Sequence, residues 1–290
     1  MSKKHPVVAV TGSSGAGTTT VKRAFEHIFY RDGIKPAVVE GDSFHRYTRV
    51  EMREKMAEGL SHFGPDANHF DKIAELFKTY GQTGGGNKRY YLHSPEEAAE
   101  HNARLGCDQK PGEFTPWEEI DQGTDLLFYE GLHGMVVDGA TDVAKYVDLG
   151  VGVVPIVNLE WIQKIFRDNA ERGYSEEAIV DTIMRRMPDY INHITPQFSR
   201  TDINFQRVPT VDTSNPFIAR DIPTPDESFV VIRFSDPKKF DINFPYLLSM
   251  IDGSFMSRRN SIVVPGGKMG FSMEIILQPI IERMMDARNV

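Results

Sequence analysis

The amino-acid sequence predicts an α/β fold with a mostly parallel sheet flanked by helices. Short apolar segments alternate with amphipathic segments in the first half of the chain, and continuous apolar runs are typical of parallel strands buried on both faces. A glycine-rich segment at 12–19 joins the first apolar run to the first amphipathic one. For a chain of 290 residues we expect a single domain over 1–290, with excursions at about 43–120 and 189–225.

The individual elements follow from the periodicity of the apolar residues. Predicted strands lie at 6–10, 36–40, 125–130, 147–157, 229–234 and 262–264. Predicted helices lie at 18–30, 70–80, 159–172, 176–187 and 272–287. The helix at 176–187 has Ser175 as its candidate N-cap, acidic residues in its first turn and Pro188 as its stop signal.

Composition excludes several classes of protein. Hydrophobic residues make up 40% of the chain and charged residues 26%, as is ordinary for a soluble globular protein. The net charge of −8 argues against a general nucleic-acid binder. Cys107 is the only cysteine, so one chain forms neither an internal disulfide nor a cysteine zinc cluster. No apolar stretch approaches the ~20 residues of a membrane span, and the N-terminus lacks a signal-peptide apolar region, so we expect a cytoplasmic enzyme without membrane contact.

The segment at 12–19 reads Gly-Ser-Ser-Gly-Ala-Gly-Thr-Thr and resembles a phosphate-binding loop in all but one position. The usual pattern is G-x-x-x-x-G-K-[ST], and Thr18 takes the place of the lysine. The glycines allow a tight turn whose N–H groups face a phosphate, and the following helix adds its positive end. Thr19 stands where a hydroxyl binds Mg²⁺. The alternative is a plain turn between a strand and a helix.

We therefore predict that a nucleoside triphosphate binds here and that the phosphate cation comes from elsewhere in the chain. The predicted nucleotide-binding residues are Gly12, Ser13, Ser14, Gly15, Ala16, Gly17, Thr18, Thr19 and Thr20.

Two carboxylates follow predicted strands. Asp42 comes after the strand at 36–40, where ligands bind in open α/β sheets, and a carboxylate there can accept the proton of a hydroxyl that attacks a γ-phosphate. The alternative is an ordinary helix cap. Glu130 ends the strand at 125–130 in the manner of a Walker B acid that helps to hold Mg²⁺, although many strands end in an acid. Nearby His45 and Arg49 either hold an anionic substrate or form a solvated surface.

Four charged residues lie on one face of the predicted helix at 159–172. Lys164, Arg167 and Asp168 are spaced i, i+3 and i+4, and Arg172 lies one turn further along. Surface ion pairs worth a few tenths of a kcal/mol are one interpretation. The other is a lid that lowers cations onto the transferred phosphate, and the missing loop lysine favours it. The segment at 85–93 mixes cations with aromatics and fits a surface loop or a substrate loop equally well.

Taken together, four segments resemble the phosphoribulokinase family. They are residues 12–19, the Glu-Gly-Asp-Ser-Phe-His-Arg run at 40–46, the Tyr-Glu-Gly-Leu-His run at 129–133 and the Lys-Ile-Phe-Arg-Asp run at 164–168. The similarity extends over nearly the whole chain and is strongest to the short proteobacterial, NADH-activated form, which also lacks the loop lysine. The resemblance implies a nucleoside-monophosphate-kinase-like fold with a helical lid. It also implies phosphorylation by ATP and Mg²⁺ of ribulose 5-phosphate at its 1-hydroxyl, for carbon fixation in photosynthesis.

The resemblance also implies roles for individual residues. Asp42 is the catalytic base, Asp168 is a further catalytic carboxylate, and Lys164 and Arg167 act on the phosphoryl group. The remaining implied residues bind ligands. Glu130 binds the metal, and the sugar phosphate is bound by His45, Arg49 and Arg172. The allosteric effectors are bound by Arg31 and Arg233. The family form is an oligomer, typically an octamer, that NADH activates and AMP inhibits.

Two rival functions stay open from the sequence. A uridine- or pantothenate-kinase-like enzyme would share the scaffold, but the cations near Asp42 and on the lid favour a substrate that already bears a phosphate. A non-catalytic nucleotide-binding regulator would account for the missing lysine. A pure binder, however, does not need three acids, Asp42, Glu130 and Asp168, around a phosphate.

Overall fold

The computed structural model describes residues 4–12, 18–154, 156–173 and 175–288, and only the backbone of Thr18, Thr19, Glu171 and Arg172. Its eight-stranded central sheet has the order β11-β12-β10-β9-β8-β1-β5-β2. The strands of this sheet are β1 Val7–Gly12, β2 Pro36–Glu40, β5 Leu126–Gly131, β8 Leu149–Val153, β9 Ile203–Pro209, β10 Ser228–Phe234, β11 Phe255–Arg258 and β12 Ser261–Pro265. Two short two-stranded antiparallel sheets are formed by β3 Asn87–Lys88 with β4 Glu118–Glu119, and by β6 Val137–Asp138 with β7 Thr141–Asp142.

Helices cover the sheet and carry the lid. They are α1 Thr18–Arg31, α2 Arg49–Ala57, α3 Phe70–Thr83, α4 Pro95–Leu105, α5 Val157–Arg172, α6 Glu176–Asp189, α7 Phe244–Met250 and α8 Met269–Arg288. No helix in the described part of the chain combines the length and apolarity that crossing a bilayer requires.

The parallel strands β1 and β8 and the apolar part of β5 are buried on both faces, as the apolar runs predict. Strands β2, β5, β1, β8 and β9 are parallel, whereas β9, β10, β12 and β11 pair in antiparallel fashion. Along β1, Val8 and Val10 pack with helices α1 and α8, and Val7 and Ala9 pack with α3 on the opposite face. Successive side chains of a strand point to opposite faces, so a strand between two helical layers is apolar throughout.

The sequence missed two strands of the central sheet and misplaced one boundary. Strand β9 lies inside the segment 189–225, where the sequence predicted only an excursion, and β11 forms the sheet edge. The predicted strand at 147–157 is shorter, because β8 ends at Val153 and α5 already begins at Val157. One continuous apolar run here spans a strand end and a helix start, which apolar periodicity alone cannot separate.

Pro188 does not end its helix. Helix α6 includes Pro188, ends at Asp189 and continues into a π-helical turn at Tyr190–Ile194. Tyr190 and Ile194 are buried, and the Tyr190 hydroxyl donates to the Glu160 carboxylate at 2.8 Å. This packing outweighs the roughly 3 kcal/mol that a proline costs inside a helix. The predicted N-cap is confirmed, since the Ser175 hydroxyl accepts a hydrogen bond from the Ala178 N–H at 3.3 Å.

Candidate active site

The predicted site residues follow the carboxyl ends of adjacent parallel strands. The glycine-rich loop leaves β1, the turn with Asp42 leaves β2, Glu130 lies at the end of β5, and the lid helix α5 follows β8. Of the predicted nucleotide-binding residues, Gly12 ends β1 and Thr18, Thr19 and Thr20 open α1, while 13–17 lie outside the described residues. This edge of an open α/β sheet is where ligands bind.

Two glycines let the ends of β2 and β5 converge. A Cβ atom on Gly41 would lie 2.8 Å from the Cα of Gly131 and 2.6 Å from the Tyr129 hydroxyl oxygen, closer than real Cβ atoms approach. Only glycine therefore permits this backbone contact. Glu40 and Glu130 are register neighbours on the two strands, so the contact brings Glu130 beside the turn that begins at Gly41.

Asp42 contacts histidines rather than capping a helix. It lies in a 3₁₀ turn at Gly41–Phe44 whose N-cap, Glu40, makes no side-chain cap hydrogen bond. The Asp42 Oδ1 atom is 3.4 Å from His45 Nε2, and its Oδ2 atom is 4.0 Å from His93 Nε2. The side chain keeps 43% of its exposure, so a substrate can reach the carboxylate.

Hydrogen bonds around His45 define which ring nitrogen faces Asp42. The Asn68 amide nitrogen donates to the carbonyls of His62 and Gly64, each at 2.9 Å, so its oxygen is free to accept. That oxygen lies 2.7 Å from His45 Nδ1, which therefore carries a proton and donates. Nε2 consequently points at the Asp42 carboxylate, an arrangement that favours the doubly protonated imidazolium.

The Asp42 carboxylate is ionised at neutral pH. Burial among protein atoms would raise its pKa, but the hydrogen bond and positive charge of His45 dominate and lower the pKa to about 2. Burial would lower the pKa of His45, and the bond to Asp42 raises it instead. An ionised carboxylate with an open face can accept a proton, as the sequence predicts for a catalytic base.

Arg49 lies in the same cluster. It opens α2 behind a Thr48 capping box. Its Nε donates to the Tyr91 hydroxyl at 3.2 Å and its Nη2 to the His93 carbonyl at 3.3 Å. Because His93 also approaches Asp42, this residue connects the predicted base with the predicted substrate arginine. Sequence reasoning missed His93 and Tyr91, although the mixture of cations and aromatics at 85–93 was the signal.

The predicted lid cations share one carboxylate. Lys164 Nζ bonds to Asp168 Oδ2, and Arg167 donates to Asp168 Oδ1 through Nε at 3.0 Å and Nη2 at 2.9 Å. Asp168 is only 5% exposed and Lys164 18%, so these are not ordinary surface ion pairs. A three-isoleucine cluster of Ile165, Ile179 and Ile183 joins helices α5 and α6.

The charges of this lid cluster are coupled. Burial would raise the pKa of Asp168, but Lys164 and Arg167 lower it, so the carboxylate stays ionised. Burial lowers the pKa of Lys164, and the Asp168 carboxylate opposes that effect. Two cations on one anion leave a net charge of about +1, which suits an incoming phosphate.

Three predicted residues lie outside these two clusters or outside the description. Arg172 ends α5, but its side chain is not described. Arg31 ends α1 and pairs with Asp32 at 3.5 Å. Arg233 lies on β10, where its register neighbours are Asn204 and Ser261.

This fold and these clusters define a phosphate-transferring enzyme of the P-loop kinase class. The chain belongs to the Phosphoribulokinase / Uridine kinase family, whose sequence model matches residues 7–214. It is 61% identical to phosphoribulokinase of Xanthobacter flavus and 60% identical to the chromosomal phosphoribulokinase of Cupriavidus necator. Both comparisons cover 100% of this chain and 99% of the relative. A solved structure of phosphoribulokinase from Rhodobacter spheroides is similar, with a TM-score of 0.88, 51% identity and coverage of 100% of both chains.

Proposed function

We propose that this protein transfers the γ-phosphate of ATP to the 1-hydroxyl of D-ribulose 5-phosphate and releases ADP and D-ribulose 1,5-bisphosphate. This reaction supplies the CO₂ acceptor of the Calvin cycle. One observation carries the proposal: an ionised, partly open Asp42 lies beside His45 and His93, and Arg49 donates to the His93 carbonyl, at the sheet edge where β1 also ends. The full-length identity to phosphoribulokinases supports the choice of substrate.

Asp42 acts as the general base. It accepts the proton of the 1-hydroxyl as that oxygen attacks the γ-phosphate. His45 orients the carboxylate from one side, and Asn68 orients His45 in turn. Arg49, with His45 and Arg172, binds the 5-phosphate, because the planar fork of arginine matches phosphate oxygens.

The lid supplies the cation that Thr18 does not. Lys164 and Arg167 are held on Asp168. When the lid reaches the γ-phosphate, Lys164 and Arg167 bind phosphate oxygens, either in addition to Asp168 or in its place. They then stabilise the charge on these oxygens in the transition state. Asp168 keeps both cations together and prevents them from repelling each other before the phosphate arrives.

Magnesium and ATP fit the edge formed by β1, β2 and β5. The described residues contain no ready-made group of three or more metal-ligating side chains. Mg²⁺ is usually held by one or two carboxylates together with substrate phosphates, so Glu130 would be one protein ligand, with Thr19 as the second ligand that the sequence predicts. When bound, the ion neutralises charge on the β- and γ-phosphates.

Regulation forms a further part of the proposal. NADH is the proposed activator and AMP the proposed inhibitor of a homo-oligomer, with the octamer as the expected state. Arg31 and Arg233 are the proposed effector residues. Both carry exposed positive charge, which suits phosphorylated nucleotides. We place the enzyme in the cytoplasm, where its sugar phosphate and nucleotide substrates occur.

The proposal is tested by ADP release from ATP with four acceptors: ribulose 5-phosphate, uridine, pantothenate and water alone. We expect stimulation by ribulose 5-phosphate only. Stimulation by uridine or pantothenate instead would identify a related small-molecule kinase. Tight ATP binding without turnover on any acceptor would identify a nucleotide-binding regulator.

A further inference from the structure

Arg89 contacts the backbone of the turn that carries Asp42 and His45. It follows the short strand β3, about 45 residues away from the turn in sequence. Its Nε donates to the Ser43 carbonyl at 2.7 Å and its Nη2 to the His45 carbonyl at 2.6 Å. One planar group thus binds two carbonyl oxygens that lie on either side of Phe44.

Aromatic rings hold the Arg89 guanidinium in place. Its Cζ atom lies 3.7 Å from the ring centroid of Phe114 and 4.7 Å from that of Trp117. Trp117 in turn packs edge-on against Phe44, with centroids 5.8 Å apart. Burial lowers the pKa of Arg89 to about 10, which leaves it charged at neutral pH. The rings restrict the plane of the fork, and so they restrict where the two carbonyls can lie.

Backbone hydrogen bonds hold other parts of this turn. The His45 N–H bonds within the turn to the Asp42 carbonyl at 3.2 Å, and the Phe44 carbonyl accepts from the His69 N–H at 2.8 Å. These bonds hold the middle and the closing end of the turn. The Arg46 N–H donates to the Ala67 carbonyl at 2.8 Å and holds the peptide plane that carries the His45 carbonyl. Arg89 adds a donor to the carbonyl of this plane and a second donor to the Ser43 carbonyl, so one side chain links the two ends of the segment that places the His45 ring beside Asp42.

We propose that Arg89, held by the rings of Phe114 and Trp117, is a positioning residue for catalysis that helps to fix the Asp42–His45 pair by binding the Ser43 and His45 carbonyls. The inference rests on the proposed function, because it assigns Arg89 to the turn of the proposed base. Lysine cannot replace it, since one ammonium group lacks the planar fork that reaches both carbonyls.

The experiment is a double-mutant cycle on the full-length protein with ribulose 5-phosphate and ATP. It combines Arg89→Met, which keeps much of the side-chain volume but removes the donors, with Asp42→Asn. Arg89→Lys tests whether charge alone suffices and serves as the second variant if Arg89→Met folds poorly. Arg207→Met is the matched control, because Arg207 also donates to a side-chain oxygen of Ser228 and to the Pro223 carbonyl but lies on β9.

We expect Arg89→Met to lower kcat at least tenfold in the wild-type background and less than threefold when Asp42 is already asparagine. Arg89→Lys should recover only part of the loss. Arg207→Met should lower Tm and leave kcat within twofold. Equal losses in both backgrounds, or an unchanged kcat, would overturn the positioning role. A raised KM for ribulose 5-phosphate with normal kcat would also overturn it, by making Arg89 a substrate contact. Wild-type protein that is inactive on ribulose 5-phosphate would instead refute the proposed function.

Discussion

The turn that carries Asp42 and the lid that carries Lys164 are held in different ways. The turn leaves β2 at one edge of the central sheet, meets Gly131 through a glycine contact and is tied to Asn68 and Arg89. The lid helices α5 and α6 follow β8 and pack on each other through a small isoleucine cluster, and α5 also stacks Trp161 on Phe217. The lid's charged residues bind one another. The base therefore takes its position from the sheet, whereas the cations take theirs from their own helix.

This difference matches the two tasks that phosphoryl transfer sets. A general base must lie at a defined distance from the attacking hydroxyl, so a rigid attachment is useful. Cations that act on the γ-phosphate have to arrive after the nucleotide and sugar have bound, so an element that lies outside the sheet and can move relative to it is useful. Asp168 keeps Lys164 and Arg167 close together in the meantime.

The largest effect is expected from removing the base. Asp42→Asn should lower kcat by about 10²–10⁴-fold, because a positioned general base contributes that much, and the KM for ATP should stay near its wild-type value. Steady-state kinetics on both substrates provide the measurement. Asp71→Asn is the control, since Asp71 is an exposed carboxylate 3.6 Å from Arg46. Near-normal turnover of Asp42→Asn would transfer the role of base to Asp168.

The second effect concerns the lid. Lys164→Met should lower kcat roughly 10²-fold, because a charge that stabilises the transition state is lost, with a modest change in the KM for ATP. The same kinetics measure it. If ATP affinity fell strongly while kcat held, Lys164 would be a ground-state nucleotide contact, and the contrast between turn and lid would fail.

Thr18→Lys is the companion variant for the lid cations. It restores the usual loop lysine, yet we expect no gain in kcat, because the loop cation and the lid cation would compete for one site. A gain in kcat would mean that Lys164 compensates only poorly for the absent loop lysine.

A third prediction separates the sugar phosphate from the nucleotide. Arg49→Met should raise the KM for ribulose 5-phosphate at least tenfold, which corresponds to about 1.4 kcal/mol, and change the KM for ATP far less. Arg49→Lys should recover part of the loss. Arg104→Met is a control arginine on α4 that pairs with Glu118. Equal changes in both KM values would remove Arg49 from the sugar-phosphate site.

The smallest effect concerns stability beneath the Asp42 turn. Burial lowers the pKa of His133 to about 3, and its ring packs on Phe70 with centroids 4.6 Å apart. His133 therefore stays neutral when folded but binds a proton when unfolded below pH 6.5, so stability falls as pH falls from 6.5 toward 3. The free energy of unfolding of the wild-type protein should fall with decreasing pH more steeply than that of His133→Phe. The two slopes should differ by about 1.4 kcal/mol per pH unit over that window. Denaturant titrations between pH 4 and 7 measure this slope, with exposed His27→Gln as control. An unchanged slope in His133→Phe would show that this histidine is not the source.

The sequence predicted much of the fold because buried strands and helices show characteristic patterns of apolar residues. The apolar runs of β1, β2 and β5, and the glycine-rich loop between β1 and α1, locate the ligand-binding edge. Strand β9 was missed because its residues 206–209 are only partly buried and its partner β10 is antiparallel. The strand predicted at 147–157 was too long because β8 and α5 follow each other without a polar segment between them.

The sequence predicted the site residues that have a recognisable local position or spacing. It missed the residues that reach the site through contacts between distant parts of the chain. Asp42 and Glu130 follow strands directly, and Lys164, Arg167 and Asp168 share a helix face, so local spacing finds them. Arg89 and His93 reach the Asp42 turn from about 45–50 residues away. No local pattern encodes that approach; helix α3 and the segment between β3 and β4 create it.

Phosphorus NMR of the reaction products tests the central claim most directly. The wild-type protein is incubated with ATP, Mg²⁺ and ribulose 5-phosphate, and all phosphorus signals are assigned. The account predicts one ADP for each sugar bisphosphate, with the new phosphomonoester on the 1-oxygen and almost no inorganic phosphate. ADP accompanied by equimolar inorganic phosphate, or a phosphate on another hydroxyl, would contradict the assignment of Asp42 as the base for the 1-hydroxyl.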